Sequence, residues 1–127
     1  MKVLLDTSVL IAEGCDLTGH EVAVSSLSWA ELLLGISATT NPVERAARET
    51  RLARLKSAFG AGLPFDDAAA TAYGTVTQLV IAQGRKPRSR AIDLMIAATA
   101  VAHGAAIITR NATDFAGLES LVRVLPA

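Results

Sequence analysis

Cysteine and histidine are nearly absent from this 127-residue chain, and their scarcity closes off several chemistries. Cys15 is the only cysteine, so the chain can form no internal disulfide and no thiolate zinc site, which points to a reducing, cytoplasmic setting. His20 and His103 are the only histidines, too few and too far apart for an imidazole zinc site. An excess of one charge is also missing, because twelve basic residues cancel twelve acidic ones. Net charge therefore gives no support for nucleic-acid binding, and only a local distribution of cations could. No run reaches the roughly 18 apolar residues of a membrane span, and Asp6 interrupts what would be the apolar region of a signal peptide, so a soluble protein is expected. Repeats, linkers and low-complexity tracts are absent too. What remains is half hydrophobic (51%), enough to bury one core, and the expectation is a single domain over residues 1–127.

The stretch from Arg90 to Phe115 organises the rest. Leu94 to Ala102 carries no charge and is followed by His103 and Gly104, the pattern of a buried helix closed by glycine. His103 falls where the helix dipole favours a cation and needs no other role. Ala105 to Thr109 then reads as a buried strand. Asp93 stands at the front of that helix and Asp114 just beyond the strand, both among apolar neighbours that make an unpaired carboxylate expensive by several kcal/mol. Either each acid caps a helix or the acids share a cation.

Earlier in the chain, Lys2 to Leu5 is a short apolar run ending in D-T-S, so a buried strand delivers Asp6 to its C-terminal end, with a helix from Ser8 to Glu13. Such strand ends are where α/β sheets bind ligands, although Asp6, Thr7 and Ser8 are all competent N-caps. Val22 to Ser25 is expected as a second strand and Ser28 to Ile36 as a helix ending near Gly35. There S-W-A-E fits a capping box, with Glu31 reaching back to a backbone N–H. Against that reading, Glu31 is the only charge between Val22 and Val43. Asn41 caps a long helix to Phe59, with Pro42 in its first turn. Arg45, Arg48, Arg51 and Arg54 recur along it, as a phosphate track or as a solvated face paired with Glu44 and Glu49. Leu63 to Phe65 is expected as a third strand, and Asp66 or Asp67 as the cap of a helix reaching about Gln83. The loop G-R-K-P-R-S-R, residues 84–90, leads four cations into the Asp93 helix, which suits a polyanionic substrate or mere solubility. Leu121 to Leu125 supplies a last strand. Alternating strands and helices, with strands that are apolar throughout, predict an α/β fold with a parallel sheet of four or five strands covered on both faces.

Asp6, Glu31, Asp93 and Asp114 thus all lie near strand or helix ends. Converged to about 5 Å, each pair would repel by roughly 3 kcal/mol at an effective dielectric near 20, so the cluster calls for a divalent cation or raised pKa values. An all-oxygen ligand set selects Mg²⁺ or Mn²⁺, and the chemistry such a site suits is phosphodiester hydrolysis.

The segments V-L-L-D-T-S-V-L-I, A-E-L-L-L-G, D-L-M-I-A-A-T-A-V-A-H-G and I-I-T-R-N-A-T-D-F occur in the order and spacing of PIN-domain ribonucleases. The chain resembles, in particular, VapC-type toxins of toxin–antitoxin pairs, over Val3 to Phe115. This resemblance implies a three-layer PIN-like fold and a Mg²⁺- or Mn²⁺-dependent endoribonuclease with Asp6, Glu31, Asp93 and Asp114 as its acidic quartet. It further implies that Thr109 and Asn111 position ligands or water, that Thr7 or Ser8 supports Asp6, and that the protein is a homodimer inhibited by a cognate antitoxin. Trp29, Leu32 and Leu33 are then either core or part of the antitoxin groove. Arg85, Lys86, Arg88 and Arg90, with Arg110, are the candidate RNA contacts on charge alone. Two alternatives stand beside this: a non-catalytic α/β binding domain whose acids are all caps, and a phosphoacceptor domain. The latter would need a lysine at the end of a late strand, and Lys2, Lys56 and Lys86, the only lysines, do not fit.

Overall fold

The computed structural model describes residues 1–127. Strand β1 (Lys2–Leu5) lies inside a four-stranded sheet of order β2-β1-β3-β4, where β2 is Glu21–Val24, β3 Ala106–Thr109 and β4 Val124–Pro126. All three pairings are parallel, with Leu5 opposite Val24 on one side and Ile108 on the other. Between the strands run α1 (Thr7–Ala12), α2 (Ser26–Ala38), α3 (Pro42–Phe59), α4 (Asp67–Ala82) and α5 (Ala91–Ala102), with single 3-10 turns at Pro87–Arg90 and Ala112–Phe115. No helix is long and apolar enough to cross a membrane.

The strands are apolar throughout because both faces of the sheet are covered. Leu4 and Ile107 point into one core with Val76, Val80, Leu94, Ile96 and Phe115. Their neighbours Val3, Leu5, Ala106 and Ile108 point the other way, onto Val9, Leu10, Trp29 and Leu55. Each large side chain buried in this way contributes about 1.5–3 kcal/mol. The two layers hold β1 and β3 side by side, and β1 continues in one direction to β2 while β3 lies on its other flank. The C-terminal ends of β1 and β3 therefore frame the crevice at which parallel sheets present ligands.

Helix caps explain several boundaries. Asn41 accepts hydrogen bonds from the amides of Val43 and Glu44, and Asp66 from that of Ala69. Three expectations need correction. Leu63 to Phe65 is not a sheet strand: Leu63 makes one parallel bridge to Ser25, and Pro64 has no N–H with which to extend the ladder. The last strand begins at Val124, because Leu121 and Val122 are still donating to the Leu118 carbonyl in turns. Helix α2 starts at Ser26 with Ser25 as its cap, whose hydroxyl accepts from the Leu27 amide at 3.0 Å. The Ser28–Glu31 capping box therefore does not form, and the helix passes through Gly35 to end at Ala38.

The Leu63 bridge brings two backbones together tightly. Ser26 donates to the Leu63 carbonyl at 3.0 Å and Leu63 to that of Val24 at 2.8 Å. A β-carbon at Gly62 would lie 2.6 Å from the Ser26 nitrogen, a backbone atom that cannot swing aside. Gly62→Ala should accordingly cost about 1–3 kcal/mol of stability, the usual range for overpacking. Urea unfolding checks this, and an unchanged midpoint would show that the Ser26 backbone yields freely.

Candidate functional site

Asp6 follows directly from β1, its amide donating to the Ile108 carbonyl at 2.9 Å, so it is the last residue stitched to β3. It occupies the N-cap position of α1, but its side chain caps nothing. Instead its Oδ2 accepts from the Ser8 hydroxyl and the Thr109 hydroxyl, each at 2.9 Å. The Arg110 and Asn111 amides donate in turn to these two hydroxyl oxygens, at 3.1 and 2.9 Å. A hydroxyl has one proton, and here both protons are directed at one carboxylate oxygen. The second oxygen of Asp6, which is only 4% exposed, has no hydrogen-bond donor of its own and remains available to a cation.

Glu31, on α2, is served by Thr7, whose Oγ1 lies 2.6 Å from its Oε1 and 2.9 Å from the Ser28 hydroxyl. With a single proton to give, Thr7 donates to the charged acceptor, the shorter contact. Fully buried Ser28 offers its hydroxyl oxygen as the second acceptor within reach of Thr7. Of the two hydroxyls expected to support Asp6, Ser8 does so, while Thr7 serves Glu31. Ser28 went unrecognised in the sequence because S-W-A-E reads as a cap.

Asp93 is the third residue of α5, whose N-cap position belongs to Arg90 without a side-chain cap. Its carboxyl is pushed up to about 6, first by burial and then by the charges of Asp114, Asp6 and Glu31, with Arg90 opposing. Asp114, Asp6 and Glu31, the other acids picked out in the sequence, are therefore within electrostatic reach of Asp93. Asp114 lies in the turn Ala112–Phe115, where Asn111 holds the N-cap position but contributes only backbone. None of the four carboxylates is used as a helix cap. As they stand, no three His, Cys, Asp or Glu side chains converge tightly enough to cage an ion. Mg²⁺ does not require a cage, since it keeps several waters and binds through one or two carboxylates. The hard oxygen donors and the mutual repulsion at Asp93 both fit such a cation.

The cations have other occupations. Arg85 donates to the Ala116 carbonyl at 2.8 Å, Arg90 to that of Thr113 at 3.1 Å and Arg110 to that of Glu13 at 2.9 Å. Lys86 and Arg88 are exposed. On α3, Arg48 pairs with Glu44 and Arg54 with Glu13, while Arg45 donates to the Ile36 carbonyl rather than pairing with Glu49. Beside Glu31 a groove of about 360 Å³ runs between α2 and α3, lined by Ile11, Leu32, Arg51 and Leu52 among others. Trp29 belongs to the core, whereas Leu33 is half exposed.

A PIN domain matches residues 3–119. The chain belongs to the PIN-domain family. Ribonuclease VapC4 of Mycobacterium tuberculosis is 37% identical to it over 126 residues, 92% of this chain and 91% of that protein. Among solved structures, VapBC-5 of M. tuberculosis, a member of the VapBC family of toxin-antitoxin systems, superposes with a TM-score of 0.79 at 30% identity, covering 98% of this chain and 96% of that one. FitAcB from Neisseria gonorrhoeae gives 0.78 at 27% identity, covering 97% and 96%. The PIN-like α/β fold expected from the sequence is the fold observed.

The raised Asp93 carboxyl sets a pH dependence in the metal-free protein. Between about pH 4 and 6 folded Asp93 keeps a proton that the unfolded chain has lost, so its contribution to stability is full below about pH 4 and lost as pH rises through 6. Asp93→Asn cannot lose that contribution. Urea unfolding from pH 4 to 7 should find variant and parent alike at the acid end and the variant more stable at neutrality; a gap that does not grow with pH would contradict the assignment.

Proposed function

We propose that this PIN-domain protein is a metal-dependent endoribonuclease, the toxin of a toxin–antitoxin pair, working at the crevice between the ends of β1 and β3. The observation that carries this reading is a set of four carboxylates, none employed as a cap, with Asp93 raised by burial and by the charges of the other three. The 37% identity to a ribonuclease over nearly the whole chain supports the same conclusion. Asp6, Glu31, Asp93 and Asp114 would hold Mg²⁺ or Mn²⁺. When bound, such a cation lowers the pKa of a water and neutralises charge developing on a phosphodiester oxygen.

The chain's own residues do the positioning. Ser8 and Thr109 fix one oxygen of Asp6 and leave the other without a donor, while Thr7, which also touches Ser28, orients Glu31. Asn111 contributes through its amide, which holds the Thr109 hydroxyl in line. Exposed Lys86 and Arg88 guide the RNA backbone toward the Asp93 end of the site; Arg90 and Arg110 keep donors to spare beyond the carbonyls they bind, whereas Arg85 is taken up by the Ala116 carbonyl. An antitoxin segment seated near Glu31 would block the same crevice, and the homodimer follows from the same reading. A binding domain whose acids are caps is disfavoured by the missing capping bonds.

Two measurements test this. Mn²⁺ should raise the melting temperature, adding about 2.7 kcal/mol at a hundredfold excess over Kd, and the effect should disappear in Asp6→Asn/Asp93→Asn. Asp93→Asn alone should slow RNA cleavage by roughly a hundredfold or more, about 3 kcal/mol of transition-state stabilisation, while its metal-free fold stays intact. Undiminished cleavage at saturating Mn²⁺ would remove Asp93 from the ligand set.

A further inference from the structure

The segment after β3 has little of its own to hold it in place. The turn Ala112–Phe115 is one 3-10 turn with no side-chain cap. Phe115 and Leu118 are sunk in the core, which pins one side of the segment. On its other side three consecutive attachments arrive from the connection between α4 and α5. Gln83 donates to the Gly117 carbonyl at 2.8 Å, Arg85 to that of Ala116 at 2.8 Å and Arg90 to that of Thr113 at 3.1 Å. The Ala116 and Gly117 carbonyls lie past the turn and accept from no backbone amide, while that of Thr113 also accepts from the Ala116 amide at 3.3 Å; the guanidinium donors add charge-assisted bonds at Thr113 and Ala116. Gly117 sits at φ +89°, and a β-carbon there would come within 2.3 Å of the Gln83 side-chain oxygen. The glycine both makes the turn and leaves room for the amide to reach it.

We propose that Gln83, Arg85 and Arg90 are positioning residues that clasp residues 113–117 and thereby hold the Asp114 carboxylate in the acidic cluster. The inference rests on Asp114 serving as a metal ligand. It gives the basic connection a role separate from attracting a polyanion: Gln83 is neutral and makes the same kind of contact as the two arginines. The clasp joins the two elements that carry Asp93 and Asp114, since Arg90 immediately precedes α5.

Gln83→Ala/Arg85→Ala tests the clasp without touching Arg90, whose charge acts directly on Asp93. Both side chains are exposed, and Gln83→Glu, which replaces the donor with a repelling oxygen, serves as a second variant. Hydrogen exchange at the Asp114 and Ala116 amides should quicken at least severalfold in both variants. Mn²⁺ affinity, measured by calorimetry without RNA, should fall about tenfold, as for other residues that orient metal ligands. The salt dependence of RNA binding should not change. If the double variant instead flattens that dependence, by about 0.7 log units per lost contact, and keeps the parent's Mn²⁺ affinity, Arg85 is an RNA contact and the clasp is refuted. Quicker exchange with unchanged Mn²⁺ affinity refutes the positioning role as well. A parent protein that binds no Mn²⁺ overturns the metal reading, an outcome visible before any variant is made.

Discussion

Asp93 is a partly buried carboxylate opposed by the charges of Asp114, Asp6 and Glu31 at the open end of a parallel sheet, and the fold is the frame that withstands this. The two core layers against the sheet supply the stability. Locally, hydroxyls face the acids: Ser8 and Thr109 on Asp6, Thr7 on Glu31. Asp93 has no hydroxyl donor, and its carboxyl is pushed up to about 6. A charged Asp93 is therefore unfavourable in the folded chain at neutral pH, and the proposed divalent cation would reverse the sign of that interaction.

Strand register is what lets two distant hydroxyls meet at one oxygen. Leu5 lies opposite Ile108 in the parallel ladder, so the residues that follow, Asp6 and Thr109, come side by side at the C-terminal ends of the two strands. A slip of one residue between β1 and β3 would turn Thr109 to the opposite face and break the contact. The alternation of Leu4 and Ile107 against Val3, Leu5, Ala106 and Ile108 forbids that slip, because it would exchange the contents of the two cores. Packing far from the chemistry thus determines which atoms touch Asp6.

Much of this was legible in the sequence because it depended on local chemistry. Asn41 announced its helix and the pair Asp66 and Asp67 the next, with Asp66 proving the cap, and uninterrupted apolar runs marked β1 and β3. The four acids stood out as charges in apolar surroundings. The illegible parts turn on distant partners. S-W-A-E satisfies the capping-box pattern perfectly well, and only the bridge between Ser25 and Leu63 sets the helix start two residues earlier. Leu63 to Phe65 looked like a strand until Pro64 was weighed against the need for a continuous ladder. The split duties of Thr7 and Ser8 depend on where α2 passes α1, which no spacing within D-T-S reveals.

The arginines show what a charge pattern leaves out. Of the solvated face expected on α3 the Arg48–Glu44 surface pair forms, yet Arg45 and Arg48 also reach carbonyls in the last turns of α2, and Arg54 reaches Glu13 just past α1. Arg110 takes the Glu13 carbonyl from the other side. Glu13 is the only non-glycine residue at positive φ, +58°, a conformation costing roughly 1–2 kcal/mol that these contacts help offset. Helix α1 has six residues, far too few to be stable alone, and carries Thr7 and Ser8 at its start. The turn bearing Asp114 is shorter still. Both elements are pinned beyond their ends by guanidinium groups on carbonyl oxygens, which explains how segments too short to persist by themselves can hold reactive groups steady. Five of the nine arginines, Arg45, Arg48, Arg85, Arg90 and Arg110, are engaged by backbone carbonyls, so their charge serves the frame before any ligand.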